Sequence, residues 1–538
     1  MAQFTVEDLI KKNEELQAEL NLEKQQNAEL NAKLEWLLEQ FRLSQHKRFG
    51  SSSEKTIDNQ VYLFDEAESE YKPDAPEPTY EEITYKRKKE KGHREKMLKD
   101  LPVETIEYTL PEEEQICGVC GENLHIMSKQ VRREITIIPA QVKVIEHVKF
   151  IYGCRNCEIN DTAAFIKTAP MPNPAIPNSL ASASAIAYVM CDKFVKGLPL
   201  YRQEQEWVRL GVSISRQTMA NWMILCSDRW FKSIYDRMRE HLIERGILHA
   251  DETPLQVLNE PGRPATSKSF MWLYRTGRDG PHIILYNYQT TRSSKHPKEF
   301  LEGFTGYLTS DGYTGYNNMP GIINIGCLAH ARRNFVEALE AMPPKKDDKM
   351  TTAEEGLSFI NKLYEIEKTI AGATAEERYK VRTEKSRPVF EDFKAWIKYQ
   401  SSRVIPKSTL GKAITYSKNQ LNKLESYLLD GSLEIDNNRA ERSIKPFVMG
   451  RKAWLFSNTP KGANSSAVIY SVVESAKENG LNPFEYLRWI LINMPNLGRP
   501  GYVNRVADLL PGSNAIPKDI YSPSQDKKEE ENYPWEED

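Results

Sequence analysis

The sequence predicts a multidomain α+β protein. Three observations carry this expectation. Residues 5–43 follow a heptad pattern, residues 101–168 hold two close cysteine pairs among strand-like runs, and beyond Gly246 the pattern turns from helical to β-rich before returning to helix. At 538 residues the chain corresponds to roughly three to five units of about 100–200 residues each.

The apolar fraction of 40% supplies a core, while the 28% of charged residues implies much exposed surface. A net charge of -3 does not advertise a nucleic-acid partner, but it averages a basic stretch, KRKKEKGHREK, with an acidic end, DKKEEENYPWEED. The acidic run reads as a solvated tail. MAQFTVEDLI lacks the basic-then-apolar order of a secretory signal. No apolar run approaches the roughly 20 residues of a membrane helix; SAIAYVMC comes nearest. Seven cysteines in a chain of this size are not a disulfide framework. The expectation is a cytoplasmic protein with no membrane partner.

Residues 5–43 read as one long helix. Leu9, Leu16, Leu30 and Leu37 form one seam, and Asn13, Leu20, Asn27, Leu34 and Phe41 the other. Leucine at d with Asn among the a positions is the pattern of a parallel coiled coil, in which buried Asn fixes register. A homodimer or higher oligomer follows, imperfect where Glu23 interrupts the d series; an amphipathic helix packed on its own protein is the plainer alternative. Residues 44–100 read as a charged linker whose basic part, Lys86 to Lys96, could lie on phosphates or merely aid solubility.

Residues 101–168 form a zinc-binding β domain. Cys117-x-x-Cys120 and Cys154-x-x-Cys157 can offer four thiolates tetrahedrally to one structural Zn²⁺. The 33 residues between the pairs suffice for a long hairpin that joins them. Four cysteines leave no open position, so this zinc is not catalytic. Residues 181–245 are helical. Within them LPLYRQEQEWVRLGVSISRQTMANW reads as helix, turn at Gly211 and second helix, with Ser213 or Ser215 as N-cap. This helix-turn-helix-like segment either binds DNA or simply packs through Trp207, Val208, Leu210 and Trp222.

From Gly246 to about residue 480 the order is three β-rich runs (GILHADETPLQVL, KSFMWLYRTG, HIILYNYQT), a short helix KHPKEFLEGF, a strand GYLTSDGY, a strand GIINIGCLAH and a helix ARRNFVEALEAM. Three hairpin-connected strands followed by alternating helix and strand is the order of an RNase H-like α/β sheet. Residues 345–430 read as a helical insertion, and 481–538 as a C-terminal extension.

Three acidic residues stand out. Asp251 lies in a strand-like run; its neighbour Glu252 must face the other way, and His249 the same way, because side chains alternate. Asp311 precedes Gly312 where a strand meets a turn, and an Asp there is often only a turn former. Glu441 lies in a basic helical run behind Asp436 and Asn437, which read as caps; an ion pair with Lys445, four residues on, is the ordinary alternative. Carboxylates gathered from separate elements suit two hard divalent cations such as Mg²⁺ or Mn²⁺, the arrangement that serves phosphoryl transfer. Arg439, Arg442, Lys445, Arg451 and Lys452 crowd the same helix and suit a phosphate substrate. Cys327-x-x-His330, followed by Arg332 and Arg333, is half of a zinc site or a packed cysteine beside a polar histidine; both arginines are candidate DNA contacts.

The chain resembles the transposases of the insertion sequence 66 (IS66) family of bacterial mobile elements. The resemblance runs through HKRFGSSSEK, the cysteine pairs, KFVKGLPLYRQEQEWVRLGVSISRQTMANW, HADETPLQV, TSDGYTGYN, CLAHARRNF, IDNNRAERSIKPFVMGRKAWLFSNTPKGA and VNRVADLLP. It implies an RNase H-like core with an Asp-Asp-Glu (DDE) triad on Asp251, Asp311 and Glu441. The implied activity is metal-dependent cleavage and strand transfer at the ends of an insertion sequence. The implied partners are terminal inverted repeats and target DNA, with small accessory proteins of the element as further candidates, in a nucleoid-associated setting. The linker departs from the family's glycine-arginine-rich stretch, of which only Gly92-His93-Arg94 is present. Two other classes remain open on sequence: a DNA-binding regulator that has lost its chemistry, and a scaffold assembled through the coiled coil.

Overall fold

A computed structural model describes residues 140–153, 166–342 and 349–522, together with individual helical positions between 13 and 42. The linker, most of the 101–168 segment with Cys117, Cys120, Cys154 and Cys157, and the acidic tail lie outside the described residues. A short antiparallel pair, β1 (Ile151–Gly153) with β2 (Ile166–Thr168), flanks the second cysteine pair. In the N-terminal segment Leu16, Leu20, Leu30, Leu34, Leu37 and Phe41 are helical and each more than half exposed.

Residues 181–245 are helical: α1 (Ala183–Phe194), α2 (Leu200–Arg209), α3 (Arg216–Cys226) and α4 (Lys232–Ile243), the last two joined by a π-helical turn at Ser227–Phe231. Gly211, at φ +88, makes the turn between α2 and α3. Ser215 is the N-cap of α3, its hydroxyl accepting from Thr218 N. The apolar faces are packed, with Trp207, Met219, Trp222 and Met223 buried, whereas Arg216, Gln217 and Asn221 face solvent.

The sheet contains β3 (Ile247–Gln256), β4 (Lys268–Thr276), β5 (Ile284–Gln289), β6 (Gly306–Ser310) and β7 (Ile322–Gly326) in the order β5-β4-β3-β6-β7. β3, β4 and β5 are antiparallel neighbours; β6 and β7 run parallel to β3. The links among the first three, residues 257–267 and 277–283, join antiparallel neighbours directly, while α5 (Lys295–Phe300) lies on the connection that returns the chain to β6. The strands and short helix expected between residues 246 and 330 are present.

After β7 the chain forms α6 (Leu328–Glu340), then the insertion helices α7 (Thr352–Thr369), α8 (Ala375–Val381), α9 (Arg387–Gln400) and α10 (Thr409–Glu425). The insertion has its own core of Ile360, Leu363, Phe390, Phe393, Ile397 and Ile414, continuous with Phe335 of α6 and Ile325 of β7. The chain then returns through α11 (Asn438–Trp454), α12 (Pro460–Glu478) and α13 (Pro483–Asn493). α12 covers the β5 edge, whose Ile284 and Tyr286 N–H groups donate to Ser475 and Ser471 hydroxyls at 2.9 and 2.8 Å. A strand edge that would otherwise offer unpaired donors is thereby closed. α13 packs on α1, and one apolar cluster runs from Ala175 to Ile520. The helical segment and the C-terminal extension therefore share the core of the sheet.

Candidate active site

β3 and β6 pair in parallel through Ile247↔Tyr307, Leu248↔Leu308 and His249↔Thr309. Continuing that register by two residues sets Asp251, midway along β3, opposite Asp311, just past the end of β6, on strands about 4.8 Å apart. Clefts beyond the carboxyl end of a parallel strand such as β6 are where open sheets bind ligands. The alternation of β3 holds. His249 and Thr253 bond to the α11 side, to Asn437 and Arg451 at 3.2 Å each. Glu252 lies on the other face, paired with Arg292 and accepting from Tyr316 Oη at 2.7 Å.

Glu441 is delivered by α11, which is fastened to the sheet at several points. Asn437 Nδ2 donates to Ala250 O at 2.9 Å. The buried guanidinium of Arg275 donates to Ser443 Oγ at 2.6 Å and to Glu478 at 2.8 Å, and Tyr286 Oη donates to Ser443 O. Glu441 follows Asn437 by four residues and so shares its helix face. Asn437 occupies the N-cap position without capping the helix through its side chain, which is spent on β3 instead. Asp436 does the capping work one residue earlier, accepting from Asn438 N at 3.1 Å.

The electrostatics link the three carboxylates. Burial pushes the Asp251 carboxyl well above its ordinary range, and Glu252, Asp311 and Glu441 push it further. Glu252 N–H, which donates to Asp251 Oδ1 at 2.8 Å, works the other way. Asp311 accepts from Tyr313 N at 2.9 Å, so it is a turn former as well as a neighbour of Asp251. Its loop is held by the insertion: Tyr416 Oη donates to Asp311 O at 2.9 Å, Gln420 Nε2 to Gly312 O at 3.3 Å and Lys423 Nζ to Asn317 Oδ1 at 2.6 Å. Nothing in the sequence of α10 distinguishes these residues from ordinary helix-surface polar groups.

Glu441 meets α6 rather than a residue of its own helix. Its Oε1 lies 3.5 Å from His330 Nδ1 and its Oε2 3.5 Å from Arg333. Cys327 is buried at the N-cap of α6, and burial pushes its thiol up to about 12. Burial and Arg333 lower the His330 imidazole, against the pull of Glu441, Asp311 and Asp436. Of the other basic candidates, Arg332 donates to Asn361 at 3.0 Å, Arg439 pairs with Glu434 and Arg451 donates to Thr253. Arg442, Lys445 and Lys452 are exposed.

Comparison with known proteins gives four matches spread along the chain. The model described as Transposase IS66 family matches residues 178–465, the zinc-finger binding domain of transposase IS66 matches 114–158, Transposase C of IS166 homeodomain matches 36–106, and the IS66 C-terminal element matches 471–511. The zinc-finger span includes all four cysteines of the two pairs and supports a Zn²⁺ site there. Three proteins of Sinorhizobium fredii (strain NBRC 101917 / NGR234) are similar. The uncharacterized protein y4jD is 30% identical over 74% of this chain and 78% of its own length. The uncharacterized proteins y4hP and y4qI are 28% and 30% identical, over 73% and 66% of this chain and 72% and 66% of their own lengths. These family matches support a transposase role. The chain belongs to the IS66 transposase family. No described helix is long and apolar enough to cross a membrane.

Proposed function

We propose that the protein is a DDE transposase with an RNase H-like core, in which Asp251, Asp311 and Glu441 hold two Mg²⁺ or Mn²⁺ ions. The observation that supports this reading is that Asp311 and Glu441 both lie close enough to raise the Asp251 carboxyl, with the β3–β6 register running toward the two aspartates. The strand order, with three antiparallel strands followed by two parallel ones, supports the fold assignment. The donor set fits the ions: the oxygens are carboxylates, the ligand type that hard cations prefer.

Two such ions, when bound, activate a nucleophile and stabilise the leaving oxygen of a phosphodiester. The chain's own task is placement. β3 and β6 hold the aspartates side by side, α11 brings Glu441 across, and Tyr416 and Asn437 keep the two ends from drifting. In cleavage a water oxygen attacks phosphorus and the phosphorus–3′-oxygen bond breaks, freeing a 3′-hydroxyl. In strand transfer that hydroxyl attacks a target phosphodiester, whose own 3′-oxygen leaves. Arg442, Lys445 and Lys452, exposed on α11, supply phosphate contacts, and the solvent face of α3 reads the terminal repeats as a recognition helix does. The exposed leucine seam of the N-terminal helix pairs protomers, and Cys117, Cys120, Cys154 and Cys157 hold a structural Zn²⁺.

The test is cleavage and joining of end DNA in Mg²⁺ or Mn²⁺, with the element's accessory proteins supplied. Asp251→Asn, Asp311→Asn and Glu441→Gln should each abolish cleavage and leave DNA binding, which rests on Lys and Arg. Cleavage by Asp251→Asn at the parent rate would overturn the triad. DNA binding without cleavage by the parent would favour a regulator.

A further inference from the structure

Cys327 and His330 have no task in the reaction above, yet the fold brings them to Glu441 from 111 residues away in sequence, counted from His330. One ligand atom from each of Cys327, His330 and Glu441 lies within 4.8 Å of the other two. Two of these atoms, His330 Nδ1 and Glu441 Oε1, are buried and lack a hydrogen-bond partner, though they sit 3.5 Å apart. A buried donor and acceptor this close would normally bond, because leaving either unsatisfied is costly. A separation near 3.5 Å is instead the edge expected of a tetrahedral ion with ligands about 2.1 Å away.

The backbone is arranged for the third ligand. Cys327 is the N-cap of α6 and His330 stands three residues on, so both side chains issue from the first helical turn on one side. Asn437 N donates to Cys327 Sγ at 3.2 Å. That donor comes from the segment leading into α11, and Leu328 N donates back to Ile435 O at 3.1 Å. The sulfur and the Glu441 helix are thus locked together by main-chain bonds that do not depend on an ion.

We propose that Cys327, His330 and Glu441 form a second transition-metal site, taking a zinc-class ion through Sγ, Nδ1 and Oε1. A soft thiolate and a borderline imidazole, beside one hard carboxylate, select Zn²⁺ or Co²⁺ over Mg²⁺. Three protein ligands leave a fourth position open. The ion fixes the Glu441 carboxylate in place; that consequence alone rests on the triad reading, whereas the site stands on its own geometry.

The test is metal analysis of the full chain, purified with zinc and freed of excess in millimolar Mg²⁺. The parent should carry near two equivalents, one of them in the cysteine-pair domain. Cys327→Ser and His330→Gln should each carry one, and Cys154→Ser combined with Cys327→Ser none. In Co²⁺-loaded protein, the parent minus Cys327→Ser difference spectrum should show a thiolate-to-cobalt band of single-thiolate intensity. His330→Gln guards against misfolding of the cysteine variant, since it leaves the Cys327 packing intact. One equivalent in the parent, or two retained in both variants, overturns the site. Neither result depends on cleavage, so a failed triad and a failed zinc site are read separately.

Discussion

The Asn437 carboxamide meets the His249 imidazole across 188 residues of chain, Oδ1 to Nδ1 at 3.2 Å. Burial pushes His249 down to about 4, and Asn437, whose Nδ2 is given to Ala250 O, has only Oδ1 left to accept from Nδ1. The same side chain donates to Ala250 O, one residue before Asp251. A single amide therefore joins the strand that carries one carboxylate to the helix that carries another.

Asn437→Ala should lower unfolding stability by about 2 kcal/mol, because it strips a partner from a buried carbonyl and a buried imidazole. It should lower cleavage more than this loss of folded protein explains, read as kcat at a temperature where the variant is fully native. Glu441→Gln is the contrast: cleavage lost with the melting temperature nearly kept. Parent-like cleavage in a folded Asn437→Ala would show that α11 needs no such tether.

The insertion should matter to the chemistry through Tyr416. Removing its hydroxyl in Tyr416→Phe deletes the bond to Asp311 O, worth about 1 kcal/mol. Cleavage should drop several-fold with DNA affinity unchanged. Gly312→Ala should do more, since φ is +94 and a Cβ would stand 3.0 Å from Gln420; left-handed backbone alone costs roughly 1–2 kcal/mol. Equal cleavage by parent and both variants would reduce the insertion to a bystander.

Acid stability should report the Glu434 network. Burial would raise this carboxyl, but His249, Arg439 and the hydrogen-bonded Arg278 outweigh it and hold it at about 2. The folded value lies below the unfolded one of about 4.3. Its contribution is therefore complete above about 4.3 and is lost as pH falls toward 2. Glu434→Gln should cost roughly 3 kcal/mol at neutral pH, the scale of breaking a buried pair. The gap from the parent should close between pH 4.3 and 2 in denaturant titrations. A gap that stays constant across that window would place the effect in packing.

Deleting residues 5–43 should shift the solution mass toward monomer. Asn27→Leu should keep association while broadening the choice of oligomer, because the buried amide penalises wrong registers. Light scattering distinguishes these outcomes, and an unchanged oligomer after deletion would move the interface elsewhere.

Much of the site was legible because strand chemistry is periodic. The two-residue repeat fixed Asp251 and Glu252 on opposite faces, and both went where alternation sent them. Helix ends were less transparent. Asn437 carries the composition of a cap, and only the tertiary position of Ala250 and His249 reveals its other use. Cys327 and His330 read as half a motif, since their partner lies beyond an entire inserted subdomain. Tyr416 and Gln420 gave no signal: their helix obeys its own core, and their hydrogen bonds are to backbone carbonyls, which any sequence would offer.

The packing of α13 on α1 has a consequence for synthesis. The chain emerges N-terminus first, at about 5–20 residues per second. Asp251 therefore precedes Glu441, 190 residues on by subtraction, by roughly 10–40 s. Helix α1, with Ile186, Val189 and Met190 fully buried in the finished fold, waits longer still for Pro483–Asn493. A nascent or prematurely terminated chain thus holds both aspartates without Glu441 and bares an apolar helix to proteases. Completion of the candidate site and cover for α1 both wait on residues 441–493.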